Sequence, residues 1–446
     1  MRSVLISPPA GSAIESRFGS VGIPAGAYLA PILEDEGHKV KIIDSSTMGY
    51  NLEDVKQELK EFSPEFVGIS SLTTSIYQAY GVAKAAKELE PDCTTVIGGA
   101  HATSAAEEVL GECPHIDIAV RGEGEETLRE LVSSKNLSSI KGITYREDGE
   151  IVENEDRKII RDLDLLPFPA YHLLPMEKYK VGGIKYATMM TSRGCPFDCI
   201  FCSSSEICGK TWRAKSPERV LDQIRLLKEE YGRREIEFLD DTFTLDNERA
   251  RKICDLLIEG GLDVSWSCSS RVDTIDNSLA EKLKEAGCHT VYMGIESGVQ
   301  KILDKLKKGI TLEQVKKAVR SVKEAGLNTV GSFILGIPGE TKKQMEKTVK
   351  FAKELGPTFA QFTLFTPYPG TEAYRMAEEK NLLVTRDWSK YTTLDPVIKK
   401  ANMTAEALKN FLRKAYLSYY LRPSYIWRSI REGRFWTFLK MALGSF

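Results

Sequence analysis

The chain has 446 residues, 42% of them hydrophobic and 28% charged, with a formal net charge of −2. That length exceeds one ordinary core and implies two or three domains. The balanced charge argues against a nucleic-acid partner, and no apolar run approaches the roughly 18–20 residues that span a bilayer.

Residues 1–135 alternate strands with helices. Strands are expected at Val4–Ser7, Lys39–Asp44, Phe66–Ser70, Thr95–Gly98 and Ile116–Val120. Helices are expected at Ala25–Glu36, Leu52–Phe62 and Ile76–Leu89. This alternation predicts an open, doubly wound parallel sheet. Such folds take ligands in the crevice beyond the carboxyl ends of their strands. Residues 136–185 read as a connector, with a hairpin around Asp148-Gly149 and a Pro-punctuated stretch from Leu163 to Ala170.

Residues 186–370 repeat strand then helix six times. The strands are placed near Tyr186–Thr191, Glu235–Asp240, Asp263–Cys268, Thr290–Ile295, Thr329–Leu335 and Phe359–Phe365. Ser216-Pro217 marks a helix start. Six such units make a partial version of the eight-unit βα barrel, whose active site lies at the carboxyl ends of the strands. Residues 371–446 read as a mostly helical region, basic and aromatic.

The loop after the first barrel strand carries Cys195, Cys199 and Cys202, a Cys-x3-Cys-x2-Cys spacing. Four-iron clusters are usually closed by four cysteines. Three thiolates leave one iron open to a ligand from outside the protein. The competing reading is a structural zinc site with Cys208 as fourth ligand, although no second CxxC follows. Nine cysteines is an odd number. The apolar start is cut short at Pro8-Pro9, so disulfides and secretion are not expected. The expectation is a cytoplasmic protein in reducing surroundings.

The cysteine loop, with Phe201 before its third cysteine, resembles that of radical S-adenosylmethionine (SAM) enzymes. In that family the open iron chelates SAM, whose reductive cleavage yields a 5′-deoxyadenosyl radical. The resemblance extends along the strand ends. Asp240 and Asp241 match the stretch that receives the methionine ammonium, or they are a solvated strand end or helix cap. Ser269 and Arg271 end the third strand, and Arg271 has the fork to pair with the methionine carboxylate. Glu296 ends the fourth strand, placed for ribose hydroxyls or the amino group. Phe333–Glu340, with Gly336, ends the fifth strand and resembles the stretch whose backbone meets adenine.

The N-terminal domain resembles the cobalamin-binding domain fused to many such enzymes. With the linker, it is similar to the group containing anaerobic magnesium-protoporphyrin cyclase and cobalamin-dependent radical methylases. The resemblance implies corrinoid contacts from Ser7, Pro8, Ser70, Ser71, Thr73, Gly98, Gly99, His101, Gly122 and Glu123. The motif that supplies a lower-face histidine to cobalt, Asp-x-His-x-x-Gly, is absent. His101 has two readings, a corrinoid contact or a cap of the next helix.

The resemblance thus implies an enzyme with a 4Fe–4S cluster, SAM and cobalamin. The favoured reaction is anaerobic C-methylation of an unactivated carbon in a lipid or tetrapyrrole substrate. The alternative is oxidative cyclisation, ring contraction or C–C coupling without methyl transfer. A non-catalytic corrinoid carrier or sensor is a third class, against which the full motif set argues. An electron donor such as flavodoxin or ferredoxin is expected. The segment Tyr419–Lys440 mixes bulky apolar residues with Arg. It reads either as an interfacial helix touching membrane or as a cover for the open side of the barrel.

Overall fold

The structure, a computed structural model, describes residues 1–10, 22–400 and 403–431. Two seven-stranded sheets dominate it. The first contains β1 (Arg2–Ser7), β2 (Lys39–Asp44), β3 (Phe66–Ser70), β4 (Thr94–Gly98), β5 (Ile118–Val120), β6 (Ile143–Glu147) and β7 (Glu150–Glu153). Its order is β2-β1-β3-β4-β5-β6-β7. The first five strands run parallel, and β6 and β7 join antiparallel. The Asp148-Gly149 hairpin therefore belongs to the sheet rather than to a connector. It pairs the backbone edge that β5 would otherwise expose.

β1 shows how residue period builds two cores. Leu5 faces one hydrophobic cluster, while Val4 and Ile6 face the other, as the two-residue side-chain period of a strand requires. Both clusters continue into the second half of the chain. Leu5 shares its cluster with Trp266 and Phe333, and Val4 shares its cluster with Ile200 and Trp388. The two halves thus pack through continuous apolar surface.

The second sheet adds β8 (Lys180–Val181) and β9 (Ile184–Met189), followed after a small ribbon of β10 (Ser192–Arg193) and β11 (Arg213–Ala214) by β12 (Glu235–Phe238), β13 (Ser265–Ser270), β14 (Cys288–Glu296), β15 (Asn328–Leu335) and β16 (Phe359–Leu364). Its order is β16-β15-β14-β13-β12-β9-β8, with β9 and β12–β16 all parallel. These are the six βα units of the partial barrel. Their helices begin where local chemistry says they should. The Ser216 hydroxyl accepts the Arg219 N–H, and Thr311 with Gln314 and Thr341 with Gln344 form capping boxes.

A barrel left open at β16 has unpaired backbone groups along that strand. The helix Ala405–Tyr420 covers them with tyrosines. The Tyr420 hydroxyl accepts the Ala360 N–H at 3.1 Å and donates to the Ala360 carbonyl at 2.9 Å; Tyr416 does the same at Phe362, at 3.1 and 2.9 Å. Two phenols thus stand in for a missing strand. Within the described part of the C-terminal segment, Tyr420 thus helps cover the barrel edge, while Leu421, Trp427 and Ile430 are exposed. The remainder of that segment, with Trp436, lies outside the described residues. No helix among the described residues is long and apolar enough to cross a membrane.

Candidate active site at the barrel mouth

The cysteine loop and the ends of four later strands share the carboxyl side of the second sheet. Asp240 follows β12, Arg271 follows β13, Glu296 closes β14 and Gly336 follows β15. Gly194 leads into the loop with φ 83°, and a Cβ there would lie 2.4 Å from the Thr211 carbonyl oxygen. Only glycine permits that turn. Beyond it, the Ile200 N–H donates to the Leu306 carbonyl at 3.1 Å, and the Ala373 N–H donates to the Ile200 carbonyl at 2.8 Å.

Cys195, Cys199 and Cys202 are half-buried free thiols. Burial, with the Asp241 charge acting in the same sense, raises Cys195 and pushes Cys202 up to about 11. Among the described residues no three His, Cys, Asp or Glu side chains gather tightly enough to hold a single metal ion. A cubane places each thiolate on a different iron, so its ligands need not converge on one point. Three neighbouring thiols on one pinned loop fit that group. Cys208 instead lines a separate cavity.

The two neighbouring aspartates do different work. Asp240 is 2% exposed. Its Oδ1 accepts the Thr191 N–H at 2.6 Å, and its Oδ2 accepts the Thr191 and Ser192 hydroxyls at 2.5 and 2.6 Å. It is saturated by the chain entering the cysteine loop and holds that chain in place. Asp241 is reached by solvent and accepts from the Ser204 hydroxyl. The walls of the recess still withdraw enough water to raise its carboxyl above the ordinary value. Of the pair, Asp241 has acceptor capacity left for a ligand.

Arg271 is likewise occupied. Its Nε and Nη2 donate to Asp273, both at 2.9 Å, and Nη2 also donates to the Lys308 carbonyl at 2.9 Å. The guanidinium stacks on Phe197 of the cysteine loop, 3.5 Å from the ring centroid. Asp273 and the Lys308 carbonyl take Nε and Nη2, which leaves the two Nη1 donors for the expected pairing with a methionine carboxylate. Glu296 takes the left-handed backbone, φ 64°, at a bulge in β14. Its Oε1 accepts from Lys308 Nζ at 2.8 Å, with both side chains under 10% exposed. Burial works against the Lys308 charge, but Glu296 outweighs it and holds the ammonium above its ordinary value. Lys308 was invisible in the sequence, where Lys307-Lys308-Gly309 reads as a charged turn. Ser269 is half-buried at the end of β13. The N–H groups of Gly336 and Ile337 donate to Glu340 Oε2 at 2.8 and 3.2 Å. Burial pushes that carboxyl up to about 7.

A cavity of about 370 Å³ opens at the strand ends of the first sheet. Of the ten residues expected around a corrinoid, Ser70, Gly98, Gly99, Gly122 and Glu123 line it, joined from the barrel by Met190, Arg193, Ile207, Cys208 and Leu239. The apolar wall of this cavity fits a flat macrocycle. Gly99 has φ 98°, and a Cβ there would sit 2.5 Å from the Ser71 carbonyl oxygen. Gly99→Ala is expected to cost about 1–3 kcal/mol through backbone strain. It should also weaken corrinoid uptake, read by denaturant unfolding and absorbance titration.

The other five lie elsewhere. Ser7 ends β1, Pro8 follows it and Ser71 follows β3, all three outside the cavity lining, and Thr73 lines a second cavity. His101 is 1% exposed, with its Nδ1 against the Thr73 hydroxyl at 3.2 Å and its ring edge-on to Trp388 at 5.0 Å. It packs under the C-terminal region instead of facing the corrinoid cavity. Neither reading of its sequence context placed it there, because Trp388 arrives from far along the chain. Glu123 touches the cavity, but its carboxylate is taken by Arg193 and Arg213.

Burial pushes the His101 imidazole down to about 4. The unfolded histidine takes its proton near pH 6.5, and the folded one resists until about 4. Stability is therefore expected to fall as pH drops through that window, by up to about 3 kcal/mol. Urea midpoints between pH 7.5 and 4 should show this slope, and His101→Phe should flatten it.

The second cavity, about 300 Å³, lies between the first sheet's loops, Ser203 beside Cys202, and Tyr391–Thr393. Hydroxyls of Thr73, Ser104, Ser203 and Thr392 are among its lining, and no charged side chain is.

Comparison with known proteins identifies the two domains. Residues 189–352 match the Radical SAM superfamily, and residues 12–132 match the B12 binding domain. An uncharacterized methyltransferase of Pyrococcus horikoshii is 47% identical over 97% of this chain and 95% of its own length. The anaerobic magnesium-protoporphyrin IX monomethyl ester cyclase of Cereibacter sphaeroides is 31% identical, over 96% of this chain and 72% of its own. The radical SAM methyltransferase TsrM of Kitasatospora setae, solved with cobalamin and a 4Fe–4S cluster, superposes with a TM-score of 0.73. It is 19% identical, and the match covers 93% of this chain and 81% of that one. That last likeness concerns the fold.

Proposed function

The chain belongs to the radical SAM superfamily, in the group that carries a B12 binding domain, and from that premise we propose that it methylates an unactivated carbon of a small molecule. Its cofactors are accordingly a 4Fe–4S cluster, SAM and cobalamin, and it needs a reductant. When bound, these groups supply one-electron cleavage of SAM and a methyl carrier.

The chain's own residues hold and orient. In this reading Cys195, Cys199 and Cys202 bind the cluster, with Asp240 and Arg271 bracing their loop. Asp241 receives the methionine ammonium, the Glu296–Lys308 pair presents a fixed carboxylate and ammonium, and the Gly336–Ile337 backbone borders adenine. Ser70, Gly98, Gly99 and Gly122 border the corrinoid. The substrate sits in the hydroxyl-lined cavity beside Ser203. Its uncharged lining supports a neutral, hydrogen-bonding group at that end of the substrate. An apolar lipid or tetrapyrrole body would extend beyond it.

The observation that carries this reading is one cavity walled by both domains, with residues of the cysteine-loop ribbon on one side and strand ends of the first sheet on the other. The test is anaerobic reconstitution with iron, sulfide and hydroxocobalamin, then reaction with methyl-labelled SAM, a reductant and candidate extracts. Both 5′-deoxyadenosine and S-adenosylhomocysteine are expected. A protein that takes up no corrinoid would overturn the reading. Radical cyclisation or C–C coupling is the second reading, favoured by the similarity to the cyclase. It predicts 5′-deoxyadenosine without S-adenosylhomocysteine. Peripheral membrane contact rests on exposed Leu421, Trp427 and Ile430. It predicts flotation of the full chain with anionic vesicles.

A further inference from the structure

Arg193 immediately precedes Gly194 and Cys195, yet its side chain reaches across to the first domain. Its Nη1 donates to Glu123 Oε1 at 3.0 Å and its Nη2 donates to Glu125 Oε1 at 2.6 Å. Arg213, its partner across the β10–β11 ribbon, donates to Glu123 Oε2 at 2.8 Å and to the Cys208 carbonyl at 2.7 Å. All four side chains are under 10% exposed. Glu123 also accepts the Ile160 N–H at 2.8 Å. Two carboxylates and two guanidinium groups thus form a neutral quartet between the domains, in the order Glu125–Arg193–Glu123–Arg213.

Its position is what gives it a role. Gly122, Glu123, Gly124 and Glu125 form one wall of the corrinoid cavity, and Arg193 and Cys208 lie in the facing wall. A molecule in that cavity touches three members of the quartet, Glu123, Glu125 and Arg193. A buried ion set contributes little net stability over apolar packing, but it enforces one geometry. Arginine is required for that geometry, since its planar fork spans two carboxylates where a lysine ammonium makes a point contact.

We propose that Arg193 is a positioning residue that couples filling of the corrinoid cavity to the setting of the cluster loop. The proposal rests on the cobalamin reading above. A corrinoid pressing on residues 122–125 would bear on Glu123 and Glu125. Those carboxylates hold the guanidinium two residues before Cys195. By reciprocity, an assembled cluster should tighten corrinoid binding.

The test uses the full chain with its reconstituted cluster, titrated with hydroxocobalamin. In the wild type, corrinoid should change the reduced cluster's electron paramagnetic resonance spectrum. Corrinoid should also bind roughly tenfold tighter to the cluster-loaded protein than to the cluster-free one. In Arg193→Lys both effects should shrink while iron content stays near wild type, with a lower thermal midpoint from the broken buried fork. Glu125→Gln removes the same link from the opposite domain and should behave alike, which keeps the test decisive if Arg193→Lys folds poorly. A wild-type spectrum unmoved by bound corrinoid, or variants that keep the full effect, would overturn the proposal. Absence of any corrinoid binding in the wild type would instead sink the cobalamin reading, and the proposal with it.

Discussion

Replacing Asp240 by Ala should destabilise the protein by about 3–5 kcal/mol, while the same change at Asp241 should leave the fold intact. The residues are neighbours of one chemical type, so only their surroundings separate them. Asp240 is buried and accepts three hydrogen bonds from Thr191 and Ser192. Its loss strands two buried hydroxyls and a backbone N–H at the entrance to the cysteine loop. Asp241 accepts only from Ser204 among the hydrogen bonds found for its side chain, and it meets solvent. Its replacement should weaken SAM binding instead. Anaerobic denaturant unfolding reads the first effect and equilibrium dialysis with SAM the second. Equal stability of the two variants would contradict the division of labour.

Cys199→Ala should abolish the cluster and with it all SAM cleavage. Iron should drop from about four per chain to near zero, because a cubane held by three cysteines has no protein thiolate in reserve. Cys208→Ala is the informative companion. A zinc or cluster site using Cys208 would lose metal in that variant. Cys208 lines the cavity proposed for the corrinoid, so iron content should be retained. Iron and sulfide quantitation on both variants, alongside 5′-deoxyadenosine formation, checks the pair of outcomes.

The strand and helix order was legible because it rests on short-range periodicity. The six parallel barrel strands lie where alternation of apolar strands and amphipathic helices puts them, within a few residues. The hairpin at Asp148-Gly149 was also readable, from its turn residues. Its membership of the first sheet was not, because antiparallel pairing of Val120 with Ile143 depends on which strand edge lies open after folding.

The candidate site divides along the same line. Cys195, Cys199 and Cys202 declare themselves by spacing alone, since one loop carries all three, and the glycine-rich turns of the first domain do so by type. The sequence by itself therefore determined the fold class and the spacing of the three cysteines, and it pointed to the barrel face proposed for the chemistry. Tertiary structure alone decided which polar groups are spent and which remain available. Asp240 meets Thr191 across 49 residues, Glu123 meets Arg213 across 90, and His101 is covered by Trp388. Lys308 becomes a site residue only because Glu296, twelve positions away, turns back at a bulge toward it. A carboxylate's role depends on its hydrogen-bond partners and its exposure to water, and both are set by segments distant in the chain.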